Sequence, residues 1–103
     1  MATVVPMRLG RADAQRMIRA LAADADRVVV TRHAELRMNQ RRVAFRVVVA
    51  ALRLGAVIDD PSRDVRGNWT CRVRRFAAGE ELTLAVAIEW ESRLLVITVL
   101  GIE

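Results

Sequence analysis

The side chains best suited to chemistry in this chain are its single histidine, His33, and two arginines that follow it at four-residue intervals, Arg37 and Arg41. On a helix that spacing puts all three along one side, one turn apart. Imidazole beside guanidinium groups suits phosphodiester chemistry. Metal-independent cleavage of RNA needs a base for the 2′-hydroxyl, an acid for the departing 5′-oxygen, and cations on the phosphate as charge develops. Histidine titrates close to neutral pH, so His33 can be the acid or the base. Arg37 and Arg41 can clamp the phosphate, because guanidinium grips it bidentately and stays charged. Arg72 and Arg74 add charge from the polar face of a strand whose other face carries Trp69, Cys71 and Val73.

Each of these residues also has a structural role open to it. His33 can pack near a helix start and bond to a backbone carbonyl or to Glu35. Arg41, Arg72 and Arg74 can form a solvated face with salt bridges to Glu80, Glu81, Glu89 or Glu91, and Arg37 can bridge to the sheet or the C-terminus. Trp69 and Trp90 can stack on bases, but Phe45 and Phe76 are the only other aromatics, so the chain has no stacking platform. Trp90 shares an all-apolar face and is expected in the core, whereas Trp69 fits either role. Cys71 alternates with Trp69 and Val73, which favours burial over reactivity. Asp59 and Asp60 are neighbours that a strand would point to opposite faces, and Pro61 follows, so they suit a turn better than a metal pair. One cysteine and one histidine leave no internal disulfide and no four-ligand zinc site; no metal and no cofactor are expected.

The elements that must position these groups follow from the apolar pattern. Asp13 looks like a helix start, with Met17, Ile18, Leu21 and Ala22 recurring at helical spacing until Asp24–Asp26. Arg27–Thr31 predicts a short strand, and Thr31 is a suitable N-cap for a second helix from Arg32 to about Arg41. A third, more apolar helix runs from Val43 through Phe45, Val48, Val49 and Leu52 to Gly55, placed where a left-handed cap would end it. The period then changes to two. Ala56–Asp60 reads as a strand entering a turn at Asp59–Ser62, and Asn68–Phe76 as a strand with alternating faces. Ala78–Gly79 marks a hairpin. Leu82, Leu84, Val86, Ile88 and Trp90 line one face of the next strand, and after a turn at Ser92–Arg93 the last strand, Leu94–Ile102, is apolar on both faces, as a covered or central strand would be. Short connections favour an antiparallel meander. The expected architecture is α+β in a single domain, residues 1–103: about three N-terminal helices, with one short strand between the first and second, followed by an antiparallel sheet of about four strands.

Charge narrows the partners. All 17 positive residues are arginine and the net charge is +5. A GC-rich coding sequence accounts for the lack of lysine but not for the excess over acids, and a basic surface draws phosphates or an acidic partner. At 53% hydrophobic the chain is too apolar for disorder. Its longest apolar stretches, Val47–Leu52 and Leu94–Ile102, fall far short of the roughly 20 residues of a spanning helix. No membrane partner is expected. Met1–Gly10 lacks the layout of a secretory signal, so the expected location is cytoplasmic.

The segment Thr31-Arg32-His33-Ala34-Glu35-Leu36-Arg37-Met38-Asn39-Gln40-Arg41, followed by an apolar helix, Gly55 and Val57–Asp59, resembles the domain-of-unknown-function family 4258. In that family a Thr/Ser-x-His-Ala-x-x-Arg-Met-x-x-Arg start leads through a helix to a glycine and a short Val-Ile-Asp strand. Leu95-Val96-Ile97-Thr98-Val99 also fits the family's last strand, and the resemblance covers about Val28 to Leu100. Arg42-Val43-Ala44 departs from it, standing where Gly-Ile-Ser or a similar helix start is common. The family's layout is similar to that of the RelE-like small ribonuclease toxins, a RelE/barnase-like arrangement. The resemblance implies a metal-independent, RNA-cleaving, toxin-type domain with His33, Arg37 and Thr98 as catalytic positions and Arg41, Arg72 and Arg74 on the RNA phosphates. RNA and an acidic antitoxin-like protein are then the partners. The alternatives are a non-catalytic module of the same fold that binds RNA or an acidic protein, and an interaction domain that forms a homodimer through an exposed sheet edge.

Overall fold

A computed structural model describes residues 5–77 and 79–102. The first helix, α1 (Arg11–Ala22), buries the stripe Ala14, Ile18, Leu21 and Ala22. Its N-cap is Gly10, and Asp13 lies inside the first turn in an ion pair with Arg16 instead of starting the helix. A 3-10 turn at Ala25–Arg27 leads to β1 (Val28–Val30). Thr31 then opens α2 (Arg32–Arg41). Its Oγ1 accepts from the Ala34 N–H at 3.2 Å and donates toward the carbonyls of Val96 (3.0 Å) and Ile97 (3.1 Å). One hydroxyl therefore caps the helix and pins it to the last strand, and a cap of this kind is worth about 1 kcal/mol.

The left-handed cap lies at a different residue from the one the sequence suggested. Arg42 ends α2 at φ 55, ψ 43, its N–H directed at the Asn39 and Met38 carbonyls. The third helix, α3 (Phe45–Leu54), buries Val48, Val49, Ala51 and Leu52 and ends at Gly55, whose φ of −79 and ψ of 177 are extended, not left-handed. Glycine is required there for a different reason. A Cβ on Gly55 would lie 2.5 Å from the Ala51 carbonyl oxygen, 2.8 Å from that of Arg74 and 2.9 Å from Val73 Cγ1.

Five further strands follow: β2 (Ala56–Val57), β3 (Ser62–Arg63), β4 (Trp69–Ala77), β5 (Glu80–Glu89) and β6 (Arg93–Ile102). Ala77 pairs with Glu80 across the hairpin; Ala78, part of the expected turn, lies outside the described residues. The sheet has six strands in the order β1-β6-β5-β4-β2, with β3 also beside β4. Three expectations are thereby corrected. The strands exceed four because Ser62, read as the end of a turn, pairs with β4 together with Arg63, and because the short strand β1 also joins the sheet. The sheet is mixed, since β1 runs parallel to β6 with Val28 opposite Leu94. The helices do not all precede the sheet: α2 and α3 follow its first strand.

The core lies on one face. Trp69, Cys71 and Val73 from β4, Leu82, Leu84, Val86 and Ile88 from β5, and Leu94, Val96 and Val99 from β6 bury against the helices. The register shift between Ala85 and Val86 is what lets Val96 and Val99, three residues apart, share that face. Thr70, Arg72, Arg74, Thr83, Ala85 and Thr98 occupy the opposite face. The last strand lies between β1 and β5 in the sheet and α2 packs on it, but it is not covered throughout, since Leu100 is exposed. Among the described residues no helix is long and apolar enough to cross a membrane.

Candidate nucleic-acid interface

The α2 segment divides cleanly by role. Thr31 caps and pins it, and Ala34 and Met38, one turn apart, bury in the core. Arg37 and Arg41 flank that buried stripe and are half-buried. Their Nε atoms are shielded from solvent and have no hydrogen-bond partner among the described residues. The aliphatic stems thus cover apolar surface, while the guanidinium groups stay at the edge of the helix. His33 is exposed in the first turn, and Glu35, the carboxylate considered for it, is exposed as well.

Most other arginines already have work within the fold. Arg53 donates to the Ala22 (2.6 Å) and Ala23 (3.1 Å) carbonyls and so satisfies the end of α1. Arg19 reaches the Gly55 carbonyl, Arg27 those of Glu91 and Ser92, and Arg63 that of Pro6. Arg11 pairs with Asp60 and Arg93 with Glu89, both at 2.9 Å. The excess of arginine is therefore uneven in meaning: many guanidinium groups are structural ties.

The sheet arginines belong with these. Asp59 accepts the Arg72 backbone N–H at 2.8 Å with one oxygen and its Nε at 3.0 Å with the other. Asp59 thus docks the end of β2 onto β4. Arg74 lies 3.5 Å from Glu81, one of the carboxylates anticipated for it, and over the Phe76 ring. Thr98 pairs with Ala85, which pairs with Arg72, so the register groups Thr98 with Arg72 on the face away from the helices. It does not group Thr98 with Arg37 and Arg41.

Two arginines that the sequence did not single out join Arg41 instead. A pocket of about 390 Å³ opens between the α2–α3 turn and the β4–β5 hairpin, lined by Arg41, Arg42 and Arg75, by Glu80, and by Val43, Val47, Ala77 and Leu82. Arg75 shares the core-facing parity of Cys71 and Val73, at the end of β4 where the core runs out. That parity was legible in the sequence. Arg42 was legible only as the point where the chain departs from the family pattern.

The remaining candidates are structural. Trp69 is buried, its indole N–H bonded to the Pro6 carbonyl at 3.0 Å and its ring under Arg63. Trp90 packs against the core. Burial, and then the charge of Asp59, push the Cys71 thiol up to about 12, so it is no nucleophile at neutral pH.

The model of the family described as Domain of unknown function (DUF4258) matches residues 30–100. No curated protein and no solved structure matches the chain. The matched span begins at the last residue of β1 and takes in α2, α3, the pocket and nearly all of the remaining sheet. With more than half of its length inside that match, the chain belongs to the DUF4258 family.

Proposed function

We propose that this domain binds RNA by its phosphates, along the side of α2 that carries Arg37 and Arg41. The observation behind this reading is the pair of Nε donors, one helical turn apart, shielded from solvent and without an acceptor among the described residues. A buried donor left unsatisfied costs about 1–3 kcal/mol, and more when it is charged. A phosphate oxygen relieves that cost through a charge-assisted bond once the half-buried side chain turns outward to meet it. The net charge of +5 supports a polyanionic partner, and the lack of a stacking platform favours backbone contacts over base reading. The test is RNA affinity against salt: two phosphate contacts give a log–log slope of about −1.4 for a single strand. A flat slope, or an acidic peptide that binds more tightly than RNA, sinks this reading in favour of a protein-binding module.

A second reading adds cleavage, as in the RelE-like toxins, and is supported by the exposure of His33 one turn before Arg37. His33 would take or return the proton at the 2′-hydroxyl while Arg37 and Arg41 hold the phosphate, and an acidic partner protein would cover the same arginines. His33→Ala is then expected to abolish RNA cutting in EDTA while changing stability by less than about 0.5 kcal/mol, as for an exposed residue. Intact RNA after incubation with the wild-type domain leaves binding as the function.

A further inference from the structure

We propose that the pocket between the α2–α3 turn and the β4–β5 hairpin holds the phosphorylated end of an RNA strand, that is, a terminal nucleotide with its phosphomonoester. The proposal rests on the RNA-binding reading and names the part of the RNA that the pocket selects.

Shape comes first. An internal phosphate of an extended strand needs only a surface track, whereas about 390 Å³ of concavity lies in the range of small-ligand sites. One wall is aliphatic, with the exposed Val47 available to a flat base beside the buried Leu82, and Arg41, Arg42 and Arg75 also line the pocket. Charge comes next. Three guanidinium groups and the single carboxylate of Glu80 leave two net positive charges around the pocket. A phosphomonoester carries about −1.5 to −2 at neutral pH, against one for an internal diester, so the balance suits a chain end.

The backbone adds an independent observation. Arg42 holds φ 55, the left-handed region in which glycine or asparagine usually ends a helix. A long cationic side chain is thus kept at a position where folding alone prefers none, and such positions gather at ligand sites. Finally, Arg41 belongs both to the pocket and to the α2 row, so a strand seated by its end continues past Arg37 toward His33.

The experiment compares tetranucleotide RNAs carrying a 5′-phosphate, a 3′-phosphate or hydroxyls at both ends, titrated into the full chain by calorimetry. One phosphorylated form is expected to bind about tenfold more tightly than the hydroxyl-ended one, and which form does so identifies the end. Arg75→Gln and Arg42→Gly are expected to bring that ratio close to one. Arg42→Gly keeps the fold, since glycine suits the left-handed cap, and its melting temperature should equal or exceed that of the wild type. The preference should also fade below about pH 6 as the monoester takes up its second proton. Equal affinity for all three RNAs overturns the proposal while leaving RNA binding by α2 intact. Adenosine monophosphate bound in an Arg75-dependent way, with no RNA bound, overturns both the proposal and the RNA reading, since the pocket then takes a free nucleotide.

Discussion

Gly55→Ala is expected to destabilise the domain by at least about 3 kcal/mol and to lower its melting temperature by on the order of 15 °C. The added methyl would meet two carbonyl oxygens and a buried valine at 2.5–2.9 Å. Neither oxygen can turn aside. The Ala51 carbonyl already accepts the Gly55 N–H at 2.8 Å, and Arg74 is paired with Ala56 across β2 and β4. Relief therefore requires α3 to move off the sheet, which opens the contacts of Val48 and Leu52. Gly67→Ala is the control. Nothing lies within 4 Å of a Cβ there, and its φ of 82 exacts only the left-handed cost of roughly 1–2 kcal/mol. Urea titration of both variants checks the ordering; equal midpoints would remove the close-approach account of Gly55.

The second large effect is on binding. Arg37→Met together with Arg41→Met is expected to lower RNA affinity about 100-fold, or some 2.8 kcal/mol, and to flatten the salt slope by about 1.4. Methionine keeps an unbranched stem of good helix propensity along the buried stripe and removes a charged donor that lacks an acceptor. The double variant should consequently melt no lower than the wild type. Arg72→Met gives the contrast. It removes one positive charge but also the partner of Asp59, so stability falls by up to about 1 kcal/mol while RNA affinity changes little. A free-energy loss in Arg72→Met of half that in the double variant, one charge against two, would mean that net charge, not the α2 face, governs binding.

Much of this arrangement was legible in the sequence, and the failures have physical causes. Thr31 announces α2 because a hydroxyl before a helical period is a local signal, and the core faces of β4 and β5 follow from strict alternation. The partner of Val28–Val30 was not legible, because three valines can pair with any apolar strand and the parallel contact with β6 spans more than sixty residues. Gly55 was placed correctly but for the wrong reason, since close approach to Arg74 is a tertiary fact. Asp59 was read as a turn residue, and only the fold reveals that it holds Arg72. For the candidate site, the row His33, Arg37 and Arg41 came directly from helical spacing. The contribution of Arg42 and Arg75 depends on the α2–α3 turn meeting the β4–β5 hairpin, which no local pattern encodes.

The central claim is that Arg37 and Arg41 take phosphate oxygens, and their Nε–H signals report on it most directly. Nitrogen-15 spectra of the intact domain, assigned through the two single Arg→Met variants, can be followed as single-stranded RNA is added. Both Nε–H resonances should shift downfield as they gain acceptors, while those of Arg72 and Arg93 stay in place. Shifts confined to Arg72 and Arg74, with Arg37 and Arg41 unmoved, would contradict the account and place RNA on the opposite face of the sheet.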